Sequence, residues 1–234
     1  MNSISPFTGF SSKTLAFFKD LTADNSKTWF DQNRERYEQE VLVPARDFVS
    51  ALGQQLKKIA PGIQADPRIN KSIFRLNRDI RFSHDKTPYK SHLGIWFWEG
   101  SRPRMECSGF YFHLEPGRFM LGAGLYQFPK DMVDPYRRSV VHPLQGPALA
   151  KAVESIKKRK EHYIGGEKFK KIPAGYDSGH PLASYLLFGG LYAGVDLPIS
   201  KKLFSGELVL LCFEHYSRML PLHRWLLDLT RRAC

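Results

Sequence analysis

The chain has 234 residues, of which 42% are hydrophobic and 25% are charged, and this balance excludes a wholly disordered protein. Lys and Arg outnumber Asp and Glu by 35 to 23, and the resulting formal net charge of +12 favours phosphates, nucleic acid or other anionic partners. The length suits one domain, so we expect residues 1–234 to fold as a single domain.

Patterns that would indicate export, a membrane span or a metal site are missing from the sequence. No basic segment followed by an apolar run occurs near the N-terminus, and the longest apolar stretch, residues 208–213, is too short to cross a bilayer. Cys107, Cys212 and Cys234 form no CxxC pair, so they indicate neither a disulfide framework nor a zinc site. We therefore expect a soluble, cytoplasmic protein without a membrane partner, a metal or a cofactor.

The N-terminal region, residues 10–61, is predicted to be helical. Ser11 or Ser12 can cap a first helix, because serine side chains accept hydrogen bonds from the first turn. A second helix follows, and Pro44 separates it from a third that stops at Pro61.

A β-rich core is predicted for residues 69–126. From Ser72 onward the apolar period becomes two, which predicts a strand with one buried and one polar face. The buried face of this strand would carry Phe74, Leu76, Ile80 and Phe82. Residues 93–98 suit a buried central strand, and the Pro-Gly pair of residues 115–118 favours a type II turn in a hairpin.

The remaining region, residues 129–231, has the apolar spacing of helices. Four helices are predicted, at residues 132–141, 148–160, 181–187 and 205–229. The whole pattern predicts an α+β protein, with a central antiparallel sheet, N-terminal helices and a helical C-terminal half packed around the sheet. In the sheet, Gly109, Gly122 and Gly124 would leave a bare surface that a helix or a ligand could approach closely, and a helix is the commoner explanation.

Residues 68–90 concentrate positive charge, with seven Lys or Arg against two Asp, a balance of seven minus two, or +5. Arginine suits bidentate recognition of phosphate or carboxylate, so we expect a pocket for a phosphorylated or carboxylated small ligand, with Tyr89 and Lys90 closing its rim. The residues predicted to form this anion site are Arg75, Arg78, Asp79, Arg81, Lys86, Tyr89 and Lys90. The wider pocket would include Trp29, Asn33, Tyr111, His113 and Arg137.

The chemistry at such a site stays open at this point. The sequence identifies no catalytic residue, although Asp79, Asp85, His113 and Tyr111 are candidate proton carriers if the protein is an enzyme. A purely structural arginine network is one alternative. A nucleic-acid-binding module is another, using the basic stretch from Lys157 to Lys171 together with Arg102, Arg104 and Arg118. The sequence carries no pattern that indicates an oligomeric state.

Four segments are specific enough to identify a family resemblance: "NSKTWFDQNRERYE", "FRLNRDIRFSHDKTPYK", "GFYFHLEPGRFMLGAGLY" and "PKDMVDPYRRSV". Together they resemble the family catalogued as domain of unknown function 2461, a conserved hypothetical protein family of bacteria and fungi. The resemblance runs from about Phe10 to Leu227. It implies a soluble, single-domain α+β protein and brings no established activity. The motif residues correspond here to Trp29, Phe30, Asn33, Arg75, Arg78, Asp79, Arg81, Phe82, Asp85, Lys86, Pro88, Tyr89, Lys90 and Arg137.

Overall fold

A computed structural model describes residues 7–232 of the protein. The helices span Ser12–Ala23 (α1), Lys27–Gln32 (α2), Val43–Leu56 (α3), Lys130–Val141 (α4), Gln145–Lys157 (α5) and Glu207–Arg232 (α6). A short helical turn, Arg34–Arg36, and a π-helix, Tyr37–Leu42, lead into α3. Single 3₁₀ turns occur at Arg104–Glu106, Ala183–Leu187 and Lys201–Phe204.

The N-terminal helices begin where the sequence predicts. Ser11 caps α1, its hydroxyl oxygen accepting a hydrogen bond from the backbone N–H of Thr14 at 3.4 Å. Ser26 caps α2 in the same way, through the N–H of Trp29 at 3.1 Å. Pro44 lies in the first turn of α3, but it does not separate two helices as predicted, because the π-helix Tyr37–Leu42 continues into α3 without a break.

The strands are Ile63–Gln64 (β1), Leu93–Glu99 (β2), Gly109–Glu115 (β3), Arg118–Leu125 (β4), His162–Glu167 (β5) and Phe188–Pro198 (β6). They form a six-stranded antiparallel sheet in the order β1-β2-β3-β4-β6-β5. The predicted α+β class, with a central antiparallel sheet, N-terminal helices and a C-terminal helix, is therefore confirmed.

Other local predictions also need correction. The helix predicted at residues 181–187 is only a 3₁₀ turn, Ala183–Leu187. Residues 129–231 are not helical throughout, because β5 and β6 lie within them. The turn between β3 and β4 is not type II, since that type requires a positive φ at Gly117 and Gly117 has none. The segment that begins at Ser72 is not a regular strand: it makes only isolated bridges, and Phe82, predicted to be buried, is 94% exposed.

The described chain divides into two compact units, each assembled from separate stretches of sequence. The first contains the residues up to Phe97, Tyr111–Leu121 and Leu197–Glu214. The second contains Trp98–Phe110, Gly122–Asp196 and the residues from His215 onward. No helix within residues 7–232 combines the length and the apolar character that a membrane crossing requires.

Each unit has its own aromatic core. In the first unit, the Phe112 ring packs against Phe48 and Phe10, with ring centroids 4.7 Å and 5.8 Å away. In the second unit, the fully buried Tyr136 packs against Phe128 at 4.5 Å and donates its hydroxyl hydrogen to the carbonyl oxygen of Tyr185. Burial of such large rings is a main source of folding free energy, so each unit is stabilised by its own core.

Candidate functional site

The charged segment near the middle of the chain forms an irregular hairpin, which we call the basic hairpin and define as residues 72–90. Backbone hydrogen bonds from Arg78 N–H to the Pro88 carbonyl (2.8 Å) and from Lys90 N–H to the Leu76 carbonyl (2.9 Å) join its two arms. One bridge, Asn77 to Tyr89, is recognisably β-like. The hairpin therefore positions its charged side chains with few ladder hydrogen bonds.

Two arginines of the basic hairpin bind its two aspartates. Arg78 donates to Asp85 and to both oxygens of Thr87, and its side chain is only 26% exposed. Arg81 makes a bidentate pair with Asp79, with N–O distances of 2.9 Å and 2.7 Å, and is 76% exposed. The hydrogen bond from Arg81 lowers the pKa of Asp79 to about 2, so this carboxylate is ionised at neutral pH.

The two lysines of the hairpin interact with backbone oxygens. The Lys86 ammonium donates to the Ile80 carbonyl and the Lys90 ammonium donates to the Arg75 carbonyl, both at 3.0 Å. Within residues 7–232, no carboxylate lies within ion-pair distance of Arg75 or Lys86. A hydrogen bond to a carbonyl does not cancel a full charge, so the hairpin keeps a positive surplus.

Tyr89 has a structural position, which corrects the prediction that it forms an open rim. Its ring is 6% exposed and lies 4.5 Å from the ring of Phe30. The side-chain amide of Asn25 donates to the Tyr89 carbonyl and accepts from the Tyr89 N–H, both at 3.0 Å. Asn25 thus fixes the end of the basic hairpin through two backbone hydrogen bonds.

Trp29 and Asn33, both predicted for the wider pocket, make contacts within the N-terminal helices. The Trp29 ring packs 5.5 Å from Phe17. Asn33 ends α2, where its amide donates to the Trp29 carbonyl at 2.9 Å and its oxygen accepts from Arg36. Trp29 therefore packs α2 against α1, and Asn33 caps the end of α2.

Tyr111, His113 and Glu115 form a hydrogen-bonded row along one face of β3. The Tyr111 hydroxyl lies 3.2 Å from His113 Nδ1, and His113 Nε2 lies 3.3 Å from Glu115 Oε2. Arg118 donates to the other Glu115 oxygen at 2.6 Å, and this bond lowers the Glu115 pKa. Alternate residues of a strand share a face, so the order Tyr-x-His-x-Glu can relay a proton over two hydrogen bonds.

His92 adds a second imidazole to this row. Its ring stacks on His113 with centroids 4.2 Å apart, and burial, helped by the charges of His113 and Lys90, lowers its pKa to about 4. Lys90 also lies 5.4 Å over the Phe74 ring, which in turn contacts Tyr111. Lys90 therefore lies where the basic hairpin adjoins the Tyr-His-Glu row.

Arg137 belongs to the second unit. Its guanidinium lies 4.9 Å over the Phe169 ring, its side chain is 15% exposed, and its Nε is buried without a hydrogen bond. Its observed contacts, Phe169 and Asp134, belong to the same unit.

A Ser-His-Glu arrangement occurs inside the second unit. Ser108 Oγ and Glu99 Oε2 each lie 2.9 Å from a ring nitrogen of His223, on opposite sides of the imidazole. The atoms resemble a hydrolase triad, but Ser108 and His223 are fully buried and the ring packs against Phe110. A nucleophile must meet its substrate, so this network is structural in the observed conformation.

A cavity of about 380 Å³ also lies in the second unit, between α4, α5 and residues 180–182. Its two histidines already accept backbone hydrogen bonds: His142 Nδ1 from the N–H of Leu144, and His180 Nδ1 from the N–H of Leu182. The wall is mainly aliphatic and Pro-rich, which suits an apolar group better than an anion.

The arginines predicted to join a nucleic-acid surface are engaged by acids or partly buried. Arg102 pairs with Glu106 at 3.2 Å and with Asp131, leaving its side chain 16% exposed. Arg118 pairs with Glu115. Burial lowers the pKa of Arg104. Arg102 and Arg118 are therefore paired with carboxylates, and Arg104 is partly withdrawn from solvent.

Three contributors to the site were not predicted: Asn25, His92 and Glu115, whose carboxylate lies 3.3 Å from His113. Asn25 acts through backbone contacts 64 residues away, which leave no local pattern. His92 stands two residues after Lys90 and opposite His113, a placement that depends on strand register. Among residues 7–232, no three His, Cys, Asp or Glu side chains cluster closely enough to hold a metal ion. Cys107 and Cys212 are buried thiols, and Cys234 lies outside the described residues.

Comparison with known proteins identifies the family. No curated protein matches the chain. The model of the family described as "Conserved hypothetical protein (DUF2461)" matches residues 13–225, which include the basic hairpin and the Tyr-His-Glu row. The chain therefore belongs to the DUF2461 family of conserved hypothetical proteins.

Proposed function

We propose that the protein binds a phosphorylated or carboxylated small molecule at the surface around Lys90. The observation that carries the proposal is the charge surplus of the basic hairpin: its two aspartates are bound by Arg78 and Arg81, and Arg75 and Lys86 have no carboxylate partner among residues 7–232. An anion lowers its free energy most where several cations are held in place before it arrives.

The proposed binding groups are Arg75 and Lys90, which the hydrogen bond from Lys90 to the Arg75 carbonyl holds together. Lys86 and Arg81 contribute further along the hairpin, with Asp79 orienting Arg81. Arg78 shapes the loop, because it is bonded to Asp85 and Thr87. The site is therefore an exposed cationic surface supported by a structured loop. A bound anion would replace the water molecules that hydrate these cationic side chains.

The same surface offers a group that can carry a proton. His113 lies between the Tyr111 hydroxyl and the Glu115 carboxylate, and burial raises the Tyr111 pKa to about 12, so this phenol stays protonated. Both ring nitrogens of His113 are engaged, so a proton from a bound substrate would reach the ring through Tyr111, whose oxygen accepts that proton as it gives its own to Nδ1. The Glu115 carboxylate would stabilise the imidazolium that forms. If the protein is an enzyme, His113 is the first residue to test.

Thermal unfolding in the presence of inorganic phosphate and of citrate tests the proposal, with ionic strength held constant by sodium chloride. An anion at one hundred times its dissociation constant adds ~2.7 kcal/mol of stability. We expect Lys90→Met and Arg75→Met to remove most of this gain, because each deletes one charge next to the bound anion.

Lys201→Met is the control, because Lys201 is an exposed lysine of the first unit outside the basic hairpin. It should keep the full anion effect. Equal stabilisation of wild type and Lys90→Met, or no stabilisation by any phosphorylated or carboxylated probe, would disprove the proposal. A structural role alone predicts a different pattern, in which Arg78→Ala lowers the melting temperature and no anion raises it.

A further inference from the structure

Three tyrosine rings lie together in the second unit, on one face of the β6–β5 edge of the sheet. Tyr163 is paired with Gly194, and Tyr192 is paired with Gly165. Residues two apart on a strand share a face, so the rings of Tyr163 and Tyr192 are on the same face, at diagonal positions. Tyr126 follows β4, and its ring centroid lies 5.5 Å from that of Tyr192. We call Tyr126, Tyr163 and Tyr192 the tyrosine face.

Glycines let these rings lie across the strands. A Cβ atom on Gly165 would come within 2.4 Å of the Tyr192 ring, and one on Gly194 would come equally close to the Tyr163 ring. Each tyrosine therefore covers the glycine opposite it. Tyr126 is 76% exposed and Tyr163 is 36% exposed, so both rings are accessible to solvent. Diagonal side chains on paired strands are ~7–8 Å apart, which leaves space for one flat group on each ring.

Positive charge flanks the tyrosine face at both ends of β5, the strand at the edge of the sheet. The basic stretch of residues 157–171 has seven Lys or Arg against two Glu, a balance of seven minus two, or +5. All seven are exposed, and none forms an ion pair within the described part of the chain: Lys157, Lys158, Arg159 and Lys160 before the strand, Lys168, Lys170 and Lys171 after it.

We propose that the tyrosine face and the basic stretch bind single-stranded nucleic acid, with bases stacked on the tyrosine rings and phosphates at the flanking Lys and Arg side chains. Aromatic rings on a sheet accept any base, because every base has a flat π surface. A duplex keeps its bases stacked inside, so only its phosphates can contact the protein, through the Lys and Arg side chains. The chemistry thus favours single strands over duplexes, and the proposal does not depend on the anion site of the first unit.

Fluorescence anisotropy with the full chain tests this proposal. The probes are fluorescein-labelled oligo-dT and oligo-U of ~12 nucleotides, within the range of known single-strand sites, and a duplex of the same length. We expect both single strands to bind more tightly than the duplex, with affinity falling as salt rises. A difference between the DNA and RNA probes would show which of the two the surface prefers.

Tyr126→Ala should weaken binding about tenfold, the usual effect of losing one stacked base, and Tyr126→Phe should restore it. Lys158→Gln combined with Lys160→Gln should reduce the slope of log affinity against log salt by ~1.4, two phosphate contacts at ~0.7 each. The controls are Phe82→Ala, another highly exposed aromatic residue, and Lys201→Gln combined with Lys202→Gln. Neither control should change the affinity by more than about twofold.

The proposal is overturned if the wild type binds neither single strand at ~50 mM salt, where electrostatic attraction is strong. It is also overturned if Tyr126→Ala binds like the wild type, or if the Lys201 and Lys202 changes weaken binding as much as those at Lys158 and Lys160. Those two outcomes would indicate a general attraction to the positively charged chain. Because Tyr126 is so exposed, its replacement should leave the melting temperature unchanged, which confirms that the variant is folded.

Discussion

His92 illustrates how one residue couples the fold to pH. Its imidazole is partly buried, stacks on His113 and is close to the charge of Lys90, so its pKa falls to about 4. An exposed histidine in an unfolded chain has a pKa near 6.5. The unfolded state therefore binds a proton more readily than the folded state between these two values, and the folded state loses stability there as pH falls.

We predict that the free energy of unfolding decreases as pH is lowered from about 6.5 to about 4. The contribution of His92 should be about 2 kcal/mol, reduced from the full pKa difference because the ring is partly exposed. Urea unfolding of wild type and His92→Gln across this range measures it, since the variant lacks the titrating group. His162, whose pKa burial also lowers, acts in the same direction in both proteins and cancels in the comparison. Parallel pH profiles for the two proteins would contradict the assignment.

The packing of β4 against β6 requires a glycine at position 124 of β4. Gly124 has a φ of 136°, and a Cβ atom there would lie 2.4 Å from the Leu191 carbonyl oxygen. The close approach at this glycine is made by the backbone of a neighbouring strand. Gly124 was predicted to leave a bare surface for a helix or a ligand. That prediction is wrong for this residue, because the neighbouring strand β6 already occupies the space.

Gly124→Ala should lower the free energy of unfolding by about 2 kcal/mol or more, since the new methyl group meets backbone atoms and the φ angle disfavours alanine. Gly117→Ala is the matched control, because a Cβ atom on Gly117 would meet no other atom within 4 Å and the φ of this residue is not positive. The control should be neutral or up to about 1 kcal/mol more stable. Urea midpoints with unchanged slopes measure both. Similar losses of unfolding free energy at the two positions would contradict the prediction, because Gly117 has neither the close backbone contact nor the positive φ.

The contrast between helices and irregular segments shows what local sequence could predict. The spacing of apolar residues in α4, α5 and α6 gave their positions to within a few residues, because one buried stripe defines a helix locally. Strands β5 and β6 were not predicted, because their glycine and tyrosine residues do not form an alternating apolar pattern. The pairing of each tyrosine with a glycine is visible only once the two strands are aligned. The hairpin at Ser72 had the alternation but lacks a continuous partner strand, so the pattern did not become a strand.

For the candidate site too, features that depend on local sequence were predicted and features that depend on long-range contacts were not. The concentration of charge in residues 68–90 was readable directly, because it depends on composition. Which charges remain unneutralised was not readable, since Arg78 could have paired with either aspartate and in fact takes Asp85 and Thr87. The stacking of His92 on His113 required the register of β2 against β3, information that a single sequence does not contain.

At the scale of the whole molecule, the net charge of +12 opposes folding through self-repulsion. Dissolved salt screens this repulsion over a Debye length of ~10 Å at 0.1 M. We therefore predict that raising sodium chloride from about 10 mM to about 200 mM stabilises the protein by ~1 kcal/mol, which corresponds to a rise in melting temperature of ~2–4 °C for a chain of this size.

This general effect can be separated from anion binding at the basic hairpin. Screening depends on ionic strength alone, so it should be the same for chloride and phosphate and should persist in Lys90→Met, which removes only one of many charges. Site binding should saturate with phosphate concentration at fixed ionic strength and should be largely lost in that variant. Melting curves over a grid of the two salts distinguish these contributions. A phosphate effect that never exceeds the chloride effect at equal ionic strength would assign all the stabilisation to screening, and a melting temperature that falls with salt would show that local ion pairs such as Arg81–Asp79 outweigh the net repulsion.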